Sequence, residues 1–126
     1  ALKRKAWKLL SECVRREAAE RGGMVSCYTC DRVMRWKTAQ AGHFVGGRSS
    51  AVLLNEEVIR PQCIKCNVML RGNYQIFTLR MVAEVGIKKV EELLDLKGRV
   101  VKFSRADLEE KIQAYRDRLR RLEGGA

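Results

Sequence analysis

Apolar positions recur at three- and four-residue steps near both ends of the chain and lose that rhythm in its middle. Trp7, Leu10, Val14 and Ala18 share one face, with Lys3, Arg4, Lys5, Lys8, Arg15 and Arg16 mostly around the rest. That pattern predicts a helix over residues 2–21, ended by Gly22 and Gly23. Cys13 lies beside the stripe and reads as a buried spectator thiol. Toward the other end, Leu108, Ile112, Tyr115, Leu119 and Leu122 form a narrow seam on a second predicted helix. Ser104 and Asp107 precede it as a partial capping box, with Asp in place of the usual Glu or Gln. The seam suits packing on the first helix and equally suits contact with a second copy of the chain.

Between the helices, residues 24–63 are short apolar pieces broken by glycine and polar punctuation. Val33–Trp36 fits a strand, "AGHFVGG" a strand leading into a glycine turn, and "AVLL" at 51–54 another extended piece. Pro61 biases Arg60 away from helix. A helix is expected from about Lys65, interrupted near Gly72 and resumed from Asn73 to Val85, with Gly86 as its cap. Val90, Leu93, Leu94 and Leu96 predict a short helix over 87–97 closed by Gly98, and "VVKF" at 100–103 an extended connector. The expected fold class is therefore α+β: a basic helix over 1–23, a small core over 24–86 and a helical extension over 87–126. No internal repeat or long low-complexity tract interrupts this layout.

Charge changes the picture next. Lys and Arg number 26 against 15 acidic residues, a formal net charge of +11 on 126 residues. That excess favours a polyanionic partner, usually nucleic acid. No apolar run approaches the roughly 18 residues of a membrane span, and the basic N-terminal stretch lacks the apolar core of a secretory signal. Four of the five cysteines form C-x-x-C pairs, which points to a reducing compartment and metal thiolates rather than disulfides.

The pairs are Cys27/Cys30 and Cys63/Cys66. Two such knuckles supply the four tetrahedral ligands that zinc prefers and leave no open position, so a structural Zn2+ is expected. An irregular segment this small buries little apolar surface, and the metal would supply part of its folding free energy. A knuckle, a hairpin, a second knuckle and a helix is the layout of a treble-clef, or ββα-metal, unit. The chain's one histidine, His43, falls between the knuckles at the expected end of the first hairpin strand. An imidazole titrates near neutral pH and is suited to take a proton from water.

The stretch "QAGHF…GR…LNEEVIRPQCIKCN…RGN" resembles the phage lambda NinG (Rap) recombination-protein family, within the HNH/His-Me finger endonucleases, over roughly residues 24–86. The resemblance implies a structure-selective nuclease acting on Holliday junctions and displacement loops by metal-assisted hydrolysis. It implies His43 as the base, and Asn67, directly after the last cysteine, as a holder of catalytic Mg2+ or Mn2+. Glu56 is the candidate for a further oxygen ligand, with Glu57 second. Asn73 is a candidate for metal or phosphate contact, or else a helix cap. Arg48, after the Gly46–Gly47 turn, and Arg60, Lys65 and Arg71, around the second knuckle, are the candidate phosphate contacts. By the same resemblance the protein is expected to act in the cytoplasm of a bacterial host, as a phage or prophage product. A homodimer would make paired cuts, with a host or phage recombinase as a further partner.

The sequence departs from the HNH pattern in three places. Gly42 stands where an acid often precedes the base, Val58 where the central asparagine is expected, and Arg60 where histidine is common in NinG-like sequences. These departures sustain a second expectation, a non-catalytic zinc-finger DNA-binding protein with a decayed HNH site.

Overall fold

Helices α1 (Leu2–Ala18) and α5 (Arg105–Gly124) pack side by side in the computed structural model, which describes residues 1–46 and 49–124. The buried stripe of α1 is Ala6, Leu10 and Cys13, one position round from the Trp7–Val14 face the pattern predicted. Ile112 and Tyr115 of the α5 seam are buried in the same apolar cluster, and the Cys13 thiol lies 3.5 Å from the Tyr115 carbonyl. The seam is thus covered by α1 of the same chain. Burial pushes the Cys13 thiol up to about 11, which makes it inert. The capping box at α5 forms with Asp in the acid position: the Ser104 hydroxyl accepts from Asp107 N at 3.0 Å, and Asp107 Oδ2 accepts from Ser104 N at 2.9 Å.

The middle of the chain holds two antiparallel strand pairs. β1 (Met24–Ser26) pairs with β2 (Val33–Arg35), and β3 (Gln40–His43) with β4 (Ile59–Gln62), in the register Gln40↔Gln62 to His43↔Ile59. The first cysteine pair sits in the turn after β1. Asp31 closes that turn in the left-handed region, φ 64°, and its carboxylate accepts two hydrogen bonds from Arg80. "AVLL" is not extended: Ser50–Leu53 forms a short helix, α2, all of whose apolar residues are buried. A short apolar run carries no period that separates strand from buried helix, and burial on every side favours the helix here.

After β4 the chain passes through a wide helical turn, Lys65–Met69, then α3 (Tyr74–Val85) and α4 (Ile87–Leu94). One apolar cluster joins α1, β3, α2, α3, α4 and α5, with Leu10, Phe77 and Met81 among its fully buried members. Each such side chain contributes about 1.5–3 kcal/mol by leaving water. The three segments expected from sequence therefore share one core. No helix among the described residues is long and apolar enough to cross a membrane.

Candidate metal centre and adjoining cleft

The four knuckle sulfurs lie within 4.8 Å of one another, and Cys30 Sγ and Cys63 Sγ are 3.7 Å apart. With Zn–S near 2.3 Å, a tetrahedron requires a sulfur–sulfur edge of about 3.8 Å. All five cysteines are free thiols, so the set fits one structural zinc ion. Donors surround it: Cys66 N reaches Cys63 Sγ at 3.4 Å and Asn73 Nδ2 reaches Cys66 Sγ at 3.6 Å. Burial works to push the Cys27 thiol up. Hydrogen bonds from the Thr29 hydroxyl, the Cys63 and Thr29 amides and the Cys30 thiol outweigh it and bring Cys27 down to about 6. Burial and the neighbouring thiols raise Cys30 to about 12. Four sulfurs this close carry their full negative charge only with a cation among them.

A cleft of about 680 Å3 lies beside this cluster. One wall is α1, through Trp7, Ser11 and Arg15; the floor is β3 with its lead-in; the far wall is Asn67, Val68, Arg71 and Tyr74. Arg15 fixes the approach to the floor by donating to the Trp36 carbonyl at 3.2 Å and to the Ser11 carbonyl at 3.1 Å. His43 closes β3, its ring tilted against Trp7 with centroids 4.6 Å apart. Its Nε2 lies 3.1 Å from the Leu53 carbonyl oxygen. A carbonyl only accepts, so Nε2 carries the proton and Nδ1 bears the lone pair of the neutral ring. The ring is thus oriented by a backbone group of α2, not by a residue at position 58. Val58 is fully buried in the apolar cluster.

Asn67 leaves the second knuckle toward the floor, where its Nδ2 donates to Gln40 Oε1 at 2.7 Å. Directly behind lies Gln62, wholly buried. Its Nε2 donates to the Gly72 carbonyl and to the Thr29 hydroxyl, both at 3.0 Å. The Gly72 carbonyl cannot donate, so the amide cannot be turned over, and Oε1 is left with no partner among the described residues. A Cβ at Gly42 would overlap this oxygen and sit 3.1 Å from Asn67 Oδ1. The space a side chain would need at position 42, where the HNH pattern often has an acid, is therefore filled by a neighbouring amide. Gln62 also links the two sites, since the Thr29 hydroxyl it donates to lies 3.4 Å from Cys27 Sγ. Gln40, Gln62, Trp7 and Arg15 were not among the site candidates read from sequence, although Gln40 and Gln62 stand inside the two motifs, "QAGH" and "PQC".

The remaining sequence candidates are dispersed. Arg71 and Asn73 flank Gly72, and all three adopt left-handed backbone, φ 51°, 50° and 101° respectively. This turn sets Arg71 on the cleft wall and carries the Asn73 amide to the zinc cluster, away from helix capping and from the cleft. Lys65 is exposed beside the second knuckle. Glu56 is drawn out of reach: Arg118 of α5 grips both its oxygens, at 2.8 and 2.9 Å, and pairs with Glu17 as well. Glu57 is bound by Lys89 at 2.7 Å. Arg60 is equally occupied, donating to Glu84 and to the Glu57 and Ile59 carbonyls while lying over Tyr28. Arg48 lies outside the described residues. Among these, the cleft lining carries two arginines and no acid.

A family model of the bacteriophage lambda NinG protein matches residues 2–124. The chain belongs to this family. The NinG match takes in α1 and α5 as well as the cysteine-bearing middle, so the cleft wall on α1 lies within the shared NinG region. No curated protein and no solved structure matches the chain.

Proposed function

We propose that this NinG-family chain is a metal-dependent endonuclease that hydrolyses phosphodiesters in branched DNA, on a ββα-metal frame of β3, β4 and the helical turn from Lys65. The observation that carries the reading is the convergence of His43, Asn67, Arg15 and Arg71 on one cleft beside a thiolate staple.

His43 Nδ1 takes the proton of a water as its oxygen attacks phosphorus. The imidazolium that forms keeps its Nε2–H on the Leu53 carbonyl, which holds the ring and eases the new charge. Arg71 orients the phosphate from the far wall, and Lys65 extends the contact along the backbone. The unpartnered Gln62 oxygen and Asn67 Oδ1 meet at the Gly42 cradle, a neutral donor set of the hard type that Mg2+ and Mn2+ prefer. These two residues would hold such an ion, which supplies charge neutralisation at the phosphate and the leaving 3′ oxygen. With no acid in the described lining, a DNA phosphate would supply the anionic oxygen that such an ion requires, so ion and DNA are expected to bind together. A four-way junction needs two cuts, and two copies acting together would supply them.

The same lack of an acid favours a second reading, a zinc-stapled DNA-binding module without cleavage. Incubating zinc-loaded protein with a four-way junction and Mg2+ or Mn2+ separates the two. We expect cutting, lowered roughly 10²–10⁴-fold in His43→Ala, with zinc content and DNA affinity retained. Equal cutting by His43→Ala refutes the nuclease assignment, and tight binding without any cutting by the wild type supports the second reading.

A further inference from the structure

The far wall of the cleft is apolar on its outer side. Met69 is 72% exposed, Val68 55% and Leu70 48%, and Ile64 and Tyr74 are exposed beside them. Soluble proteins seldom leave neighbouring large apolar side chains in water without a use. The backbone that presents them is unusual. Leu70 N bonds to the Lys65 carbonyl at 2.8 Å, five residues back, in place of the four of an ordinary helix. This wider turn is followed directly by the left-handed residues Arg71, Gly72 and Asn73, so the chain cannot fold Val68–Leu70 back onto the core. Val68 itself lines the cleft, which makes the ledge continuous with the candidate site.

Charge selects the occupant. From Ile64 to Tyr74 the sequence holds two cations, Lys65 and Arg71, and no acid. A second copy docked ledge to ledge would bring like charges together with nothing opposite them. DNA offers phosphate to the cations and base faces to the apolar side chains. In continuous duplex those faces are already stacked, and an apolar wedge must break a stack before it gains contact. At a branch point the terminal base pairs have a free face, and the wedge meets it without that cost.

We infer that Val68, Met69 and Leu70 form an apolar wedge that caps the unstacked base faces at a DNA branch point and thereby selects branched over linear DNA. The inference rests on the nuclease reading for its biological setting, but its test does not require cleavage. Binding is measured on the full zinc-loaded chain without added magnesium, with a four-way junction and a linear duplex of the same sequence. Both DNAs carry 2-aminopurine, the junction at its branch. Met69→Ser/Leu70→Ser should weaken junction binding roughly tenfold, as expected when apolar side chains no longer leave water against a base face, and change duplex binding less than twofold. The 2-aminopurine signal at the branch should change on wild-type binding and stay flat with the variant. Equal weakening on both DNAs, or no weakening on either, overturns the wedge, as does a variant that turns a wild-type dimer into a monomer while keeping its junction preference. Full zinc stoichiometry and an unchanged thermal transition of Met69→Ser/Leu70→Ser serve as the folding control. Absence of cutting by the wild type, with its junction preference intact, would count against the nuclease reading alone.

Discussion

The thiolate cluster and the cleft share the segment from Cys63 to Asn73 but differ in how fully their polar atoms are matched. At the cluster, amide and hydroxyl donors already point at sulfurs 3.4–3.6 Å away, and the sulfur spacing suits one ion. Behind the cleft floor, a wholly buried oxygen on Gln62 has no partner among the described residues, and apolar residues on the far wall face water. Leaving a buried polar atom unmatched costs about 1–3 kcal/mol. The first region needs only an ion to be matched; the second keeps a buried acceptor and an exposed apolar ledge unmatched. On the proposed reading, the stabilising and working parts of this small protein differ in what each leaves unsatisfied.

The contrast breaks most completely at a cysteine. In small zinc domains metal binding supplies about 10–16 kcal/mol, as much as the whole stability of a typical domain at about 5–15 kcal/mol. Cys66→Ser should release zinc and unfold the middle of the chain, seen as lost zinc stoichiometry and a collapsed thermal transition; a variant with full zinc and an unchanged Tm would show that the staple lies elsewhere. A smaller loss is expected at Val58. Asparagine there restores the residue of the HNH pattern, but in a fully buried site whose neighbours offer apolar contact. Val58→Asn should therefore destabilise by about 3 kcal/mol without raising any cleavage rate, and denaturant titration beside a cutting assay checks both halves. Least costly is Gly42→Ala, whose methyl must displace Gln62. The overpacking should cost about 1–3 kcal/mol, measured by calorimetry, and should weaken Mn2+ binding in the presence of DNA; an unchanged Tm would show that the Gln62 amide is free to move.

What was legible in the sequence was what local spacing encodes. The C-x-x-C pairs bring their sulfurs together because each knuckle is one turn, and the Ser104–Asp107 box forms because both partners belong to the same helix start. The sequence was silent where a distant residue sets a side chain's partner. Nothing near Glu56 announces that Arg118, 62 positions on, will hold both its oxygens, and nothing near Arg60 announces Glu84. The partner that orients His43 is a backbone carbonyl, which no residue type reveals. Gln62 carries no signal of its own in the sequence, because its contact with Gly42 on the neighbouring strand exists only once the β3–β4 register is formed.

The pairing of α1 with α5 also sets an order in time. Cys13 and Tyr115 touch across a separation of 102 residues, and α1 brings Trp7 and Arg15 to the cleft. Closing so long a loop is slow relative to forming knuckles and hairpins, because non-local contacts reward the chain only after its entropy has been given up. During synthesis α1 emerges about a hundred residues before the helix that holds it in place. The zinc knuckles and both strand pairs can therefore be formed while the imidazole still lacks its fixed wall. The α1 wall, seated on β3 and β4 as well, thus receives its last support only when nearly all of the described chain has been made.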